Sequence, residues 1–175
     1  MLIREMSLAP RATVSIHQER PYDYDEARGL WLYRTVDEDE QVHNLVTDAG
    51  RVTVHTYIYG TSAQRAAANL GANGLSYIGL TNDAGVPAAG DTALAGELSG
   101  SGLTRAAGVV TLPVGAGTIT TIQHVFTFTG ASQGVQKSAL FDATTFGNMA
   151  HEVQFTQRLL FTNDTLTLTY AITLA

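Results

Sequence analysis

The stretch Thr165-Leu-Thr-Leu-Thr-Tyr-Ala-Ile-Thr-Leu174 decides the fold class. Leu166, Leu168, Tyr170, Ile172 and Leu174 fall on one side of an extended chain, and Thr165, Thr167, Thr169 and Thr173 on the other. That period of two is the mark of a strand with one buried face. Working outward, Val109-Val-Thr-Leu112, Ile119 to Thr129, Gln136 to Phe141 and Val153 to Phe161 are four more strand candidates, each bounded by turn residues such as Thr162-Asn-Asp-Thr165. Leu75-Ser-Tyr-Ile-Gly-Leu80 adds a buried strand. Short antiparallel strands at regular spacing predict an all-β fold, an antiparallel β-sandwich or jelly roll.

Composition agrees. The chain has 175 residues, 45% of them hydrophobic and only 15% charged, enough for one domain with a real core plus a modest appendage. The net charge is -6 and Lys137 is the single lysine, so no basic face exists for a run of phosphates, and nucleic acid is not an expected partner. No stretch approaches the roughly 20 apolar residues that span a bilayer, and Met1-Leu-Ile-Arg-Glu-Met6 lacks a signal-like apolar run, so a soluble chain without membrane partners is expected. With no cysteine, disulfides, thiolate metal sites and cysteine nucleophiles are excluded together.

Charge is distributed unevenly. Residues 1–50 hold ten carboxylates and five arginines; residues 51–175 hold six carboxylates, four arginines and one lysine. In the first part, Ala12-Thr-Val-Ser-Ile-His17 and Gly29-Leu-Trp-Leu-Tyr33 read as short strands around a polar, aromatic loop at Glu19 to Glu26. Residues 1–43 are therefore expected to form an N-terminal arm or outlying hairpin, with residues 44–175 as the sandwich. At most one or two short helices are expected. One is Ala63 to Leu70, stopped by Gly71. Thr47 suits a helix cap before Asp48, yet Val52-Thr-Val-His-Thr-Tyr-Ile58 alternates and is β-branched, and local propensity leans toward strand. Asn82 to Leu103 is rich in Gly, Ala and Pro and reads as a long surface loop.

Asn44-Leu-Val-Thr-Asp-Ala-Gly50, Tyr77-Ile-Gly-Leu-Thr81, Gly90-Asp-Thr-Ala-Leu-Ala-Gly-Glu97, Gly102-Leu-Thr-Arg105, Phe126-Thr-Phe-Thr-Gly130, Ala139-Leu-Phe141 and the strand ending at Leu174 occur in that order. As a set they cover residues 44–175, and the chain resembles the β-sandwich structural proteins of tailed-bacteriophage virions. The resemblance implies a non-enzymatic virion subunit, made in the host cytoplasm. The expected role is a head decoration, or cement, protein on the outer capsid surface, with the major capsid protein and further copies of itself as partners. A homotrimer would suit three-fold capsid sites. The alternative is a tail or fibre adaptor or receptor-binding module. In similar proteins the stretch after the Asn-Leu-Val-Thr motif looks helical, whereas here it is β-branched.

The residues offer little chemistry. His17, His43, His55, His124 and His151 are not paired as metal ligands are, so no metal or other cofactor is expected. A triad drawn from His151, Asp142 and a hydroxyl lacks a Gly-x-Ser-x-Gly elbow. Asp83, Asp91 and Glu97 lie in a loop without the aromatic walls of a glycosidase cleft. Tyr22, Tyr24, Trp31 and Tyr33 carry more information, because four large aromatics within twelve residues need a cover. They are candidate anchors on a capsid partner, rimmed by the acidic run Asp37, Glu38, Asp39 and Glu40, which would meet Arg or Lys there. Packing back on the chain's own sandwich is the plainer reading of the aromatics. Trp31 beside Asp23 or Asp25 would also suit a sugar. Glu97 and Arg105 flank the turn at Ser99 to Gly102 and are expected to close it as an ion pair, a candidate inter-subunit loop.

Overall fold

The computed structural model describes residues 11–26, 28–36, 40–43, 45–59, 74–113 and 119–173. Its elements in chain order are β1 (Arg11–Asp25), β2 (Leu30–Thr35), β3 (Glu40–His43), β4 (Leu45–Val46), α1 (Asp48–Tyr59), β5 (Tyr77–Thr81), β6 (Ala106–Ala107), β7 (Val109–Thr111), β8 (Ile119–Thr127), β9 (Ser132–Phe141), β10 (Met149–Phe161) and β11 (Thr165–Thr173). They form two antiparallel sheets. One runs β2-β1-β11-β8-β7, with β3 also beside β1, and the other runs β4-β10-β9-β5-β6. The expected β-sandwich is therefore present.

The alternating stretch occupies the middle of the first sheet, between β1 and β8. Leu166, Leu168 and Tyr170 are fully buried while the intervening threonines are half-buried. Leu168 lies opposite Ile16 and Tyr170 opposite both Val14 and Ile122, so three strands aim apolar side chains at one layer. From the second sheet, Ile78, Leu80, Val135, Leu140, Val153 and Leu160 meet them. Tyr170 crosses the interior and donates its hydroxyl hydrogen bond to Ser138 Oγ at 2.8 Å, which satisfies a polar group that burial would otherwise leave stranded. The same burial raises the phenol's pKa far above its ordinary value.

The N-terminal part departs from expectation in two ways. Residues 11–19 are no outlying arm: they pair along their whole length with β11, and Val14 and Ile16 are wholly buried in the core. Nor is 19–26 a loop, because β1 runs on to Asp25. Pro21, which lacks an N–H, sits at a register shift between Pro21 and Asp23, where a ladder tolerates it. Only the distal part projects. β11 begins at Thr165, opposite Glu19, so beyond that point β2 is the one partner of β1 among the described residues.

The stretch at 52–58 is helical, against its local leaning to strand. Thr47 is the cap: its Oγ1 accepts a hydrogen bond from Gly50 N at 2.9 Å. Gly50 then lets the first turn lie directly on β10, where an added Cβ would fall 2.1 Å from Ala150 O. Tertiary contact and a cap outweigh β-branched propensity. The Ala63 to Leu70 helix candidate lies outside the described residues.

Two glycines provide a test. Gly50→Ala should lower unfolding stability by about 3 kcal/mol, since the obstacle is backbone. Gly90→Ala, with nothing near its added Cβ, should change it by less than about 0.5 kcal/mol. Urea denaturation of the two variants measures both.

Candidate functional site

The projecting ribbon carries the aromatics found in the sequence. Tyr24 lies directly opposite Trp31, and Tyr33 opposite Pro21. Direct partners and residues two apart share a face, so Tyr24, Trp31 and Tyr33 form one stripe. The Tyr24 and Trp31 rings pack with centroids 5.2 Å apart and a 59° tilt. Trp31 is nonetheless 54% exposed, and Tyr22, Tyr24, Tyr33 and Leu30 are exposed as well. They do not fold back onto the sandwich. Asp23 pairs with Leu32 and Asp25 with Leu30, which puts both carboxylates on the face away from Trp31 and separates the trio read as a sugar site.

A two-stranded ribbon alone is only marginally stable in water. This one is held at both ends. At its tip Gly29, at φ +66°, donates its N–H to Asp25 O at 2.8 Å, and Arg28 N donates to the Asp25 side chain at 3.1 Å. At its base the buried Asp164 carboxylate receives Arg20 Nε at 3.0 Å, Arg20 Nη2 at 2.9 Å and Gln18 Nε2 at 3.1 Å. The Arg20 guanidinium also covers the Phe161 ring, 4.6 Å from its centroid. Asp37, Glu38 and Asp39 lie outside the described residues. Glu40 opens β3, opposite Ile16.

The second candidate, Glu97 with Arg105, forms the ion pair foreseen in the sequence. Arg105 Nε and Nη2 reach the two Glu97 oxygens at 2.7 and 2.6 Å. The pair does more than close a turn. It lies over Gly79, whose added Cβ would fall 2.6 Å from Glu97 Oε1, and the guanidinium stacks 3.4 Å above the Phe141 ring. The long loop at 82–103 is thus strapped to the outer face of the second sheet, with Leu94 packed against Ala139, Phe141 and Met149.

Lys137 is the loop's other fastening, and its role was invisible in the sequence. Its buried ammonium sits 2.6 Å from Asp83 and 3.3 Å from Glu152. The Lys137 hydrogen bond holds the Asp83 pKa below its ordinary value. Burial, then neighbouring Asp91, raises that of Glu152. Asp83, Asp91 and Glu97 are therefore occupied by Lys137, by Ala88 N and by Arg105.

The sequence reading also passed over Phe146. It is 95% exposed, at φ +59°, in a region bulky residues rarely adopt. Its loop is fixed on both sides. The Asp142 carboxylate accepts from Asn148 N and Nδ2 at 2.7 and 2.8 Å, and Arg105 Nη1 donates to Ala143 O at 3.1 Å and Phe146 O at 3.4 Å. Between this loop and the Glu97–Arg105 strap lies a groove of about 340 Å³.

The Asp142 carboxylate is thus engaged by Asn148. His151 is buried, and desolvation lowers its pKa to about 4. Among the described residues no three His, Asp or Glu side chains gather as metal ligands would, and no helix is long and apolar enough to cross a membrane. No protein-family model, curated protein or solved structure matches the chain.

Two outcomes are expected. The unfolded chain protonates His151 near pH 6.5 and the folded one near pH 4. The His151 contribution is therefore full above about pH 6.5 and declines as pH falls toward 4, by roughly 3 kcal/mol in all. Denaturation of wild type and His151→Gln across that range should show a difference in slope of this sign. Phe146→Gly, which removes the Cβ from a left-handed position, should raise stability by about 1 kcal/mol in the same assay.

Proposed function

We propose that this chain is a non-enzymatic assembly subunit whose projecting hairpin docks on a partner protein, and that the assembly is the head of a tailed bacteriophage, which it decorates as a cement protein. The observation that carries the docking is the stripe of Tyr24, Trp31 and Tyr33, displayed in water on a ribbon anchored at base and tip. Rigid aromatics of this kind bury much area with few rotors to freeze, which is why they dominate the centres of interfaces. A ribbon already ordered before contact loses little entropy on binding. The identification of the partner as a major capsid protein rests on the resemblance of residues 44–175 to virion proteins. The acidic run at 37–40 would select a basic rim on it.

The mechanism is linkage. A subunit that binds only the mature lattice adds its binding free energy to the stability of the shell. A trimer placed over a three-fold junction would multiply that gain, because later contacts form at high effective concentration. The particle is the place of action, and the host cytoplasm the place of synthesis.

The first test is the number of copies per purified particle relative to the major capsid protein. A ratio near unity supports decoration, a handful of copies assigns the chain to the tail or a fibre, and none overturns the virion reading. Trp31→Ala should weaken binding to mature empty capsids about 30-fold, the cost of one central aromatic anchor, and leave the urea midpoint unchanged. Equal binding by wild type and variant in a sedimentation assay would remove the hairpin from the interface.

A further inference from the structure

We infer that the groove beside Phe146 binds a neutral pyranose sugar, with the Phe146 ring as its stacking platform. This site lies on the outer side of the second sheet, and its argument does not depend on the hairpin. Three observations converge on it. The first is strain without relief. Phe146 is held at φ +59° by a loop that Asp142 and Arg105 fix from both sides, and its ring is left 95% in water. Packing does not explain a bulky residue there, since the ring has almost no protein around it. Strained backbone that its surroundings over-determine concentrates at ligand contacts.

The second is the lining. The groove, of about 340 Å³, is walled by Leu98, Ser99, Thr104, Thr144, Thr145 and Phe146 around the Glu97–Arg105 pair, and the surface it presents is mostly apolar. Its size falls near the lower end of small-ligand sites, which run from about 300 to 1,000 Å³. A mostly apolar wall with hydroxyl-bearing residues among it matches a ligand that has an apolar face and hydroxyls at its edge.

The third is charge. Glu97 and Arg105 neutralise one another through two short hydrogen bonds, and the remaining Arg105 nitrogen is taken by the carbonyls of Ala143 and Phe146. The groove offers no free cation to a phosphate or carboxylate, and the chain carries a net charge of -6. A ligand with one apolar face to lie on the ring, hydroxyls around its edge and no charge satisfies all three conditions. A hexopyranose has that form.

Amide-resolved NMR titration of the full chain tests this, with methyl glucopyranoside, methyl galactopyranoside, methyl mannopyranoside and methyl glucuronide as probes. At least one neutral glycoside should shift the amides of 97–99, 104–105 and 143–147. The affinity should fall about tenfold in Phe146→Ala, stay unchanged in Trp31→Ala, and be lower for the charged glucuronide. Phe146 supports no packing, so the variant's amide spectrum will otherwise match wild type. The proposal is overturned if no neutral glycoside shifts the groove amides, if Phe146→Ala binds as wild type does, or if the glucuronide binds best. Loss of capsid binding in Phe146→Ala without any sugar response assigns the loop to a protein contact and likewise overturns it.

Discussion

The carboxylate of Asp164 holds the architecture at its most consequential point. It is wholly buried in the turn between β10 and β11, and it gathers Gln18 and Arg20 of β1 together with Phe161 N of β10. The same turn donates Asn163 N to Phe128 O and accepts Phe128 N at Asp164 O. The middle of β1 and the ends of β8 and β10 are thereby tied to one short turn. β11 starts from that turn, so its position determines where the first sheet stops covering β1 and where the free ribbon begins. A buried ion is costly unless its hydrogen bonds are satisfied, and here several donors converge on it.

What could be read from the sequence was what depends on near neighbours. The alternation at 165–174 needs only the residue two places away, and from Thr165 to Tyr170 the burial alternates as it predicts. The pairing of Glu97 with Arg105 spans eight residues and was legible for the same reason. The helix at Asp48–Tyr59 was not, because its β-branched residues speak for a strand while the deciding contact, Gly50 on Ala150, lies 100 residues away. The path of β1 through Pro21 was hidden likewise, since turn-forming residues there are accommodated by a bulge. Lys137, Asp83 and Glu152 come together only once β9 and β10 pair and the loop folds over them. Phe146 left one weak trace, a bulky residue before Gly147 in a turn, and nothing in that trace reports a groove.

The two outer surfaces have different characters. Among the described residues the first sheet ends in a ribbon that offers apolar rings at its edge, where an unpaired strand is the usual liability. The second sheet is covered: the 82–103 loop lies across it, fastened by Lys137 on one side and Arg105 on the other. Because both fastenings are ion pairs with little exposure of the cation, they are less sensitive to salt than ordinary surface pairs. Contacts made by the ribbon and by the groove therefore arise from separate parts of the molecule, and neither needs the other to be formed.

The pairing of β1 with β11 also sets the order of events as the chain is made. Gln18 and Asp164 stand 146 positions apart, so β1 has no permanent neighbour on that side until β11 has been made. Closing so long a span has an entropic cost that must be met before any ladder bond compensates it, and folds ruled by such distant contacts form slowly. Val14 and Ile16 wait exposed through that interval. The nascent chain is consequently aggregation-prone until β11 is available, and the pairing of β1 with β11 is the step that ends the exposure.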